Sequence, residues 1–214
     1  MKKTIFFDFN GTIIDDLDLC LNILNVMLKE NGQNPIDITT YKEIFTFPII
    51  EYYIKAGFDF SKKSFELLSI DFIKMYQEAS YNCNLHKGVV KAFETLKEKG
   101  YRLVVLSASQ IDNLKDQLDA FGITNYFDAI LGIQNIYAKS KVQIGVNYIE
   151  QENLKKEECI MIGDTLHDEE VAHAMGIDVV LYDKGHQSHN VLSKGSSPVI
   201  SSFDEFVSII LTQN

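Results

Sequence analysis

The chain has 214 residues, enough for one medium domain or a domain carrying an insert, and its 46% hydrophobic against 23% charged residues exclude a disordered polypeptide. A formal charge of −10, with no run rich in Lys or Arg, excludes the electrostatic footprint that nucleic acid or an anionic membrane requires. Trp is absent, so 14 Phe and 10 Tyr supply the bulky core side chains.

In chain order, the first residues are basic and then apolar, but Asp8 and Asn10 interrupt the apolar run far short of a secretory segment. Residues 4–9 read as a buried strand ending at the Asn10-Gly11 turn. Residues 16–86 break from strand patterns into helical ones: 17–32, 39–57 and 64–80, with Gly32 and Gly57 placed as C-caps. Asp15 and Asp16 read as the N-cap and first turn of the first of these helices. A dense apolar stripe, Phe45, Phe47, Ile49, Ile50, Tyr52 and Tyr53, reads as the core of this insert, with one or two members free to touch a ligand. Beyond it, helical patterns at 88–99, 111–121, 141–151 and 167–175 alternate with apolar runs at 102–107, 127–131, 159–163 and 178–182. A last strand turn at 199–200 precedes a C-terminal helix for which Ser202 and Glu205 form a capping box.

Continuous rather than alternating apolarity in those strands predicts an α/β fold. The expected architecture is a doubly wound (Rossmann-like) parallel sheet core from residues 1–15 plus 87–214, with an inserted all-helical domain at 16–86. Cys20, Cys83 and Cys159 are odd in number and form no C-x-x-C pair, which points to a reducing compartment. No run reaches membrane-spanning length, so the expectation is a cytoplasmic protein without a membrane or nucleic-acid partner.

Parallel sheets bind ligands at the carboxyl ends of their strands. Asp8, Ser107 and Asp164 fall on that edge, and Lys141 opens a helix that reaches it. Singly, each has a plainer reading. Asp8 would end a strand at a turn, Ser107 would N-cap the next helix, and Asp164 and Asp168 would favour a helix N-terminus. Together on one rim they read as a site.

The run FFDFNGTIIDD resembles the first motif of the haloacid dehalogenase superfamily, usually D-x-D-G-T. LSAS resembles the second, Lys141 the third, and MIGDTLHDEEVAHAMG the fourth, while the helical insert is similar to the family's first type of cap domain. The resemblance covers the whole chain and implies a phosphatase similar to phosphoglycolate phosphatases, acting on a small phosphorylated metabolite. It implies Asp8 as nucleophile and Mg2+ held by Asp8, the backbone carbonyl of Asn10, Asp164 and Asp168. It further implies phosphate binding by Ser107, the Ala108 N–H and Lys141. Lys139 is a rival for the lysine role, matching relatives in which the lysine precedes a Pro that is missing here.

The departure is Asn10, where the family's phosphatases carry an acid/base Asp. An amide cannot exchange a proton at neutral pH, and such catalysis contributes roughly 10²–10⁴-fold. Three accounts of Asn10 stand: a native residue with another group moving the proton, a substitution that traps the site, or a deamidating Asn-Gly pair. A second functional reading is a phosphate- or metabolite-binding protein that has lost turnover. Carbon–halogen hydrolysis, a third, is disfavoured by the full acidic fourth motif. His167 reads as a surface residue, and His186 as part of a loop near the entrance.

Overall fold

The computed structural model describes residues 2–133 and 140–212. Its first half runs β1 (Thr4–Phe7), β2 (Ile14–Asp15), α1 (Leu17–Glu30), α2 (Ile38–Ile44), α3 (Ile49–Ala56), α4 (Phe65–Ser80) and β3 (Asn84–Leu85). Then follow α5 (Val89–Glu98), β4 (Arg102–Gln110), α6 (Ile111–Ala120), β5 (Ala129–Ile133), α7 (Lys141–Gln151) and β6 (Cys159–Gly163). The chain closes with α8 (Leu166–Met175), β7 (Asp178–Tyr182), α9 (His189–Leu192), β8 (Val199–Ile200) and α10 (Phe203–Thr212).

Six strands pair in parallel in the order β5-β4-β1-β6-β7-β8, which is the α/β architecture expected. Strand side chains alternate between faces, and each face meets its own apolar layer. Ile5, Phe7, Leu103, Val105, Ile160 and Ile162 join one buried cluster with Phe93 and Phe206. Phe6, Val104, Leu106 and Met161 join the other with Val171 and Met175. Each such side chain stabilises the fold by about 1.5–3 kcal/mol, which places β1, β4 and β6 at the rigid centre.

Helices α1 to α4 bury a third cluster that includes Leu24, Met27, Tyr41, Tyr53 and Leu68. The chain enters and leaves this insert through β2 and β3, which pair antiparallel over two residues each. The run 39–57, one helical pattern in the sequence, is two helices. Pro48 cannot donate a backbone N–H and disfavours helix at Phe47, so α2 stops at Ile44 and Pro48 caps α3. No helix among the described residues is long and apolar enough to cross a membrane.

Three further boundaries differ from expectation. β4 runs on to Gln110, whose side chain accepts from the N–H groups of Asp112 and Asn113, so Gln110 rather than Ser107 caps α6. β5 lies at Ala129–Ile133 because residues Thr124–Tyr126 form a 3₁₀ turn first. At α10 the box is half formed: Ser202 Oγ accepts the Glu205 N–H, while the Glu205 carboxylate takes the N–H of Ser201 instead of Ser202.

One buried acid fastens the loop before β8. Glu169 Oε1 accepts from the backbone N–H and hydroxyl of both Ser196 and Ser197, at 2.5–3.0 Å. Burial favours its neutral form, but these donors outweigh burial and hold its carboxyl below the ordinary glutamate value. Glu169→Ala is expected to cost about 2–3 kcal/mol at neutral pH, read from urea denaturation. Because the folded-state value is depressed, this contribution is present above the ordinary glutamate pKa and lost as pH falls through the folded value. A stability difference that stayed constant from about pH 7 to about pH 3 would refute this account.

Candidate active site

The Asp8 N–H donates to Ile162 O at 2.9 Å, so the ladder continues one residue past β1 and delivers the Asp8 carboxylate to the carboxyl edge between β4 and β6. The chain then doubles back at once, with Phe9 O accepting from the N–H groups of Thr12, Ile13 and Ile14. This turn needs Gly11, whose φ is +71° and whose Cβ, if present, would stand 2.3 Å from Asp164 Oδ2. A Cβ on Gly185 would stand 2.2 Å from the same oxygen. The two glycines let backbone close around Asp164, which accepts from Thr12 Oγ1 at 3.1 Å and from the His186 N–H at 2.6 Å.

Carboxylate oxygens of Asp8, Asp164 and Asp168 all lie within 4.8 Å of one another, and all three residues are buried. Lys141, 5% exposed at the start of α7, donates to Asp8 Oδ1 and, at 2.6 Å, to Asp168 Oδ1. The other oxygen of Asp168 accepts from the N–H and hydroxyl of Thr165, at 3.0 and 2.7 Å, closing a capping box at the start of α8. Ser107 is buried, its Oγ accepting the Ser109 N–H at 3.1 Å, and Ala108 beside it is exposed to the cavity. The sequence-selected residues Asp8, Asn10, Ser107, Ala108, Lys141, Asp164 and Asp168 thus converge on one cavity. Lys139 lies outside the described residues.

Three carboxylates face one ammonium here. Burial raises the Asp8 carboxyl well above the ordinary range; Lys141 opposes this, and Asp168 and Asp164 add to it. Asp164 is pushed up to about 6, by burial first and by Asp168, against the pull of His186. Burial opposes the charge on Lys141, but Asp168 and Asp8 overcome it and hold the ammonium charged.

A second network surrounds Asp16, which no local sequence signal marks. Asp16 occupies the N-cap position of α1 yet caps nothing with its side chain. Its Oδ1 accepts the Gly11 N–H at 2.9 Å and lies 3.2 Å from His186 Nε2, while Oδ2 accepts from the Tyr76 hydroxyl at 2.6 Å and from Asn10 Nδ2 at 3.0 Å. Asn10 Oδ1 in turn accepts the Ser109 hydroxyl at 3.1 Å. His186 sits on the loop after β7 as expected and lines the cavity, but it is buried, and its Nδ1 meets the Tyr41 hydroxyl at 3.0 Å. Burial works against the imidazolium, but Asp16, then Asp164 and Asp8, raise His186 to about 9. Asp16 is lowered against its own burial penalty, chiefly by His186. Asp16, Cys20 and His186 also approach within 4.8 Å of one another, but both ring nitrogens of His186 are already engaged. His167, read as a surface residue, is half-buried under the Phe47 ring at 4.5 Å.

The Asn10 amide is therefore fitted to an anion. Asn10→Asp would place a carboxylate oxygen about 3 Å from Asp16 Oδ2. A loss on the order of 1–3 kcal/mol is expected at neutral pH, with recovery when Asp16→Asn is added in the same chain. Thermal melts of the two single variants and the double variant measure it; additive losses would sink the proposed pairing.

Above the carboxylates lies a cavity of about 830 Å³, floored by the strand ends and roofed by α3 and α4. The insert is pinned over it by Gln187 Nε2 to Phe45 O at 2.8 Å, Lys42 Nζ to Asp183 O at 3.0 Å and Gln117 Nε2 to Ser80 Oγ at 2.8 Å.

Known proteins carry the same arrangement of elements. The phosphoglycolate phosphatase of Haemophilus influenzae is 28% identical over 224 aligned positions, covering 97% of this chain and 98% of that one. Pyrophosphatase PpaX of Listeria welshimeri is 26% identical over 173 positions, covering 77% of this chain and 76% of its own. A solved structure of a predicted phosphatase from Clostridium acetobutylicum matches with a TM-score of 0.82 at 22% identity, covering 99% of each chain, a likeness of fold. Residues 5–182 match the family described as haloacid dehalogenase-like hydrolase, from within β1 to the last residue of β7. The chain belongs to the haloacid dehalogenase-like hydrolases.

Proposed function

We propose that the chain is a phosphatase that hydrolyses a small phosphomonoester through an aspartyl-phosphate formed on Asp8. The observation that carries this reading is the Asp8 carboxylate, held by Lys141 beside Asp164 and Asp168 at the floor of a covered cavity. Relatives named phosphoglycolate phosphatase, similar along nearly the whole chain, support it.

The donor set fits magnesium. It consists of oxygens, it is buried, and its carboxylates outnumber the one ammonium, which leaves negative charge for a hard divalent cation to neutralise. Asp8, Asp164, Asp168 and the Asn10 carbonyl would hold the ion, which when bound supplies the positive charge that lets a carboxylate approach a phosphoryl group. In this reading Asp8 attacks phosphorus and the P–O bond to the alcohol breaks, its electron pair passing to the leaving oxygen, which takes a proton from water. A second water then cleaves the acyl phosphate, giving its oxygen to phosphate and its proton to solvent and regenerating Asp8. Lys141, the Ser107 hydroxyl and the Ala108 N–H bind the phosphoryl oxygens. Residues 16–86 act as a cap domain over a core of 1–15 plus 87–214, excluding water during transfer. The three free cysteines accord with a reducing, cytoplasmic setting.

Asn10 favours a second reading. Its amide is engaged on both atoms and exchanges no proton, as expected of a binding protein that has lost turnover. Phosphate release from acetyl phosphate and from a panel of phosphomonoesters, with Mg2+ and with EDTA, separates the two. Mg2+-dependent release that EDTA abolishes and excess Mg2+ restores is expected, with phosphate on the Asp8 peptide in samples quenched during turnover. Phosphate binding without release from any compound would favour the second reading, and release indifferent to chelator would remove the metal from the first.

A further inference from the structure

If Asp8 is where phosphate is transferred, the rest of the cavity must receive the alcohol to which that phosphate is attached, and its chemistry is one-sided. Phe45, Phe47, Phe65, Phe72, Ile73 and Tyr81 line it from the insert. Ile73 and Tyr81, 52% and 44% exposed, stand where the cavity opens and leave apolar surface free for a ligand to cover. The positive groups among the described lining residues are already committed. Lys141 is shared by Asp8 and Asp168, and His186 is held by Asp16. No arginine lines the cavity among the described residues, while Glu78 adds a carboxylate on the insert side and Gln77 and Asn113 add neutral amides. A carboxylate or second phosphate on the alcohol would meet no uncommitted cation among the described lining residues and would face the Glu78 carboxylate. The volume, about 830 Å³, suits a ligand far larger than a two-carbon acid.

We propose that the alcohol portion of the substrate is uncharged and largely apolar, with an aromatic or comparably bulky group lying against the wall made by α3 and α4, and that this wall rejects small carboxylated alcohols such as glycolate. The proposal rests on the phosphatase reading of the same site and adds the substrate class to it. It sets this chain apart from the substrate that its relatives' names carry.

Binding and turnover test the two claims separately. Three phosphonates, in which a methylene replaces the ester oxygen, are titrated calorimetrically into the full chain with Mg2+: 3-phenylpropylphosphonate, propylphosphonate and 3-phosphonopropionate. The phenyl compound is expected to bind about tenfold or more tightly than propylphosphonate, as burial of a ring against apolar surface requires. The carboxylated compound is expected to bind no better than propylphosphonate. Ile73→Lys, a change at a half-exposed position of α4, is expected to improve binding of 3-phosphonopropionate and weaken that of the phenyl compound. Tightest binding of 3-phosphonopropionate by the unaltered protein, or binding ratios indifferent to Ile73→Lys, overturns the proposal. So does a protein that hydrolyses acetyl phosphate but binds none of the three. Preference for the phenyl compound without hydrolysis of acetyl phosphate or any ester leaves the pocket assignment standing and removes the phosphatase reading alone.

Discussion

Asp8→Asn is expected to reduce phosphate release by a factor on the order of 10⁴ or more, because the amide keeps the size of the carboxylate but cannot act as the nucleophile. The fold should tolerate the change. Asp8 sits against Asp164 and Asp168 with its carboxyl pushed up by burial, so a neutral side chain relieves repulsion, and Lys141 keeps Asp168 as a partner. The variant should therefore melt at or above the temperature of the unaltered protein, which calorimetry measures alongside a phosphate-release assay. Retention of more than about a tenth of the activity would remove Asp8 from the role assigned to it.

Lys141→Met is expected to damage both activity and stability. The ammonium is 5% exposed and serves two carboxylates, so its removal leaves both buried without a counter-charge. Breaking such a pair from one side costs about 3–5 kcal/mol, and the lost contact to transferring phosphoryl oxygens costs a further factor on the order of 10²–10³ in rate. Mg2+ should restore part of the stability of Lys141→Met, since an ion that binds only the folded site shifts the folding equilibrium. Urea denaturation with and without Mg2+ measures this, and a variant as stable as the parent in both conditions would contradict the assignment. The same measurements on Lys139→Met separate the two lysines.

The sheet was legible in the sequence because its strands are short, continuous apolar runs separated by helical patterns. The order of the runs and the place where their apolarity gives out bring Asp8, Ser107 and Asp164 to one edge, although β4 itself continues past Ser107. What escaped depends on side chains choosing among partners. Gln110 is a poor N-cap by composition, yet it caps α6 because β4 runs three residues past Ser107. Asp16 looks like an ordinary helix-capping residue until tertiary structure brings Gly11, Tyr76 and His186 to it. The Asp15-Asp16 pair was visible, but nothing local decides that one of the two turns inward. Position 10 shows the same limit: the missing acid was plain, and the carboxylate six residues on that its amide meets was not.

Asp168 performs two jobs with two oxygens: one fastens the first turn of α8 and the other restrains the Lys141 ammonium. Local fraying at 165–168 would thus slacken the lysine even while every strand stays paired. Warming should then silence the enzyme some degrees before circular dichroism records any melting, and the gap between those two temperatures would report how firmly a single helix end is tied.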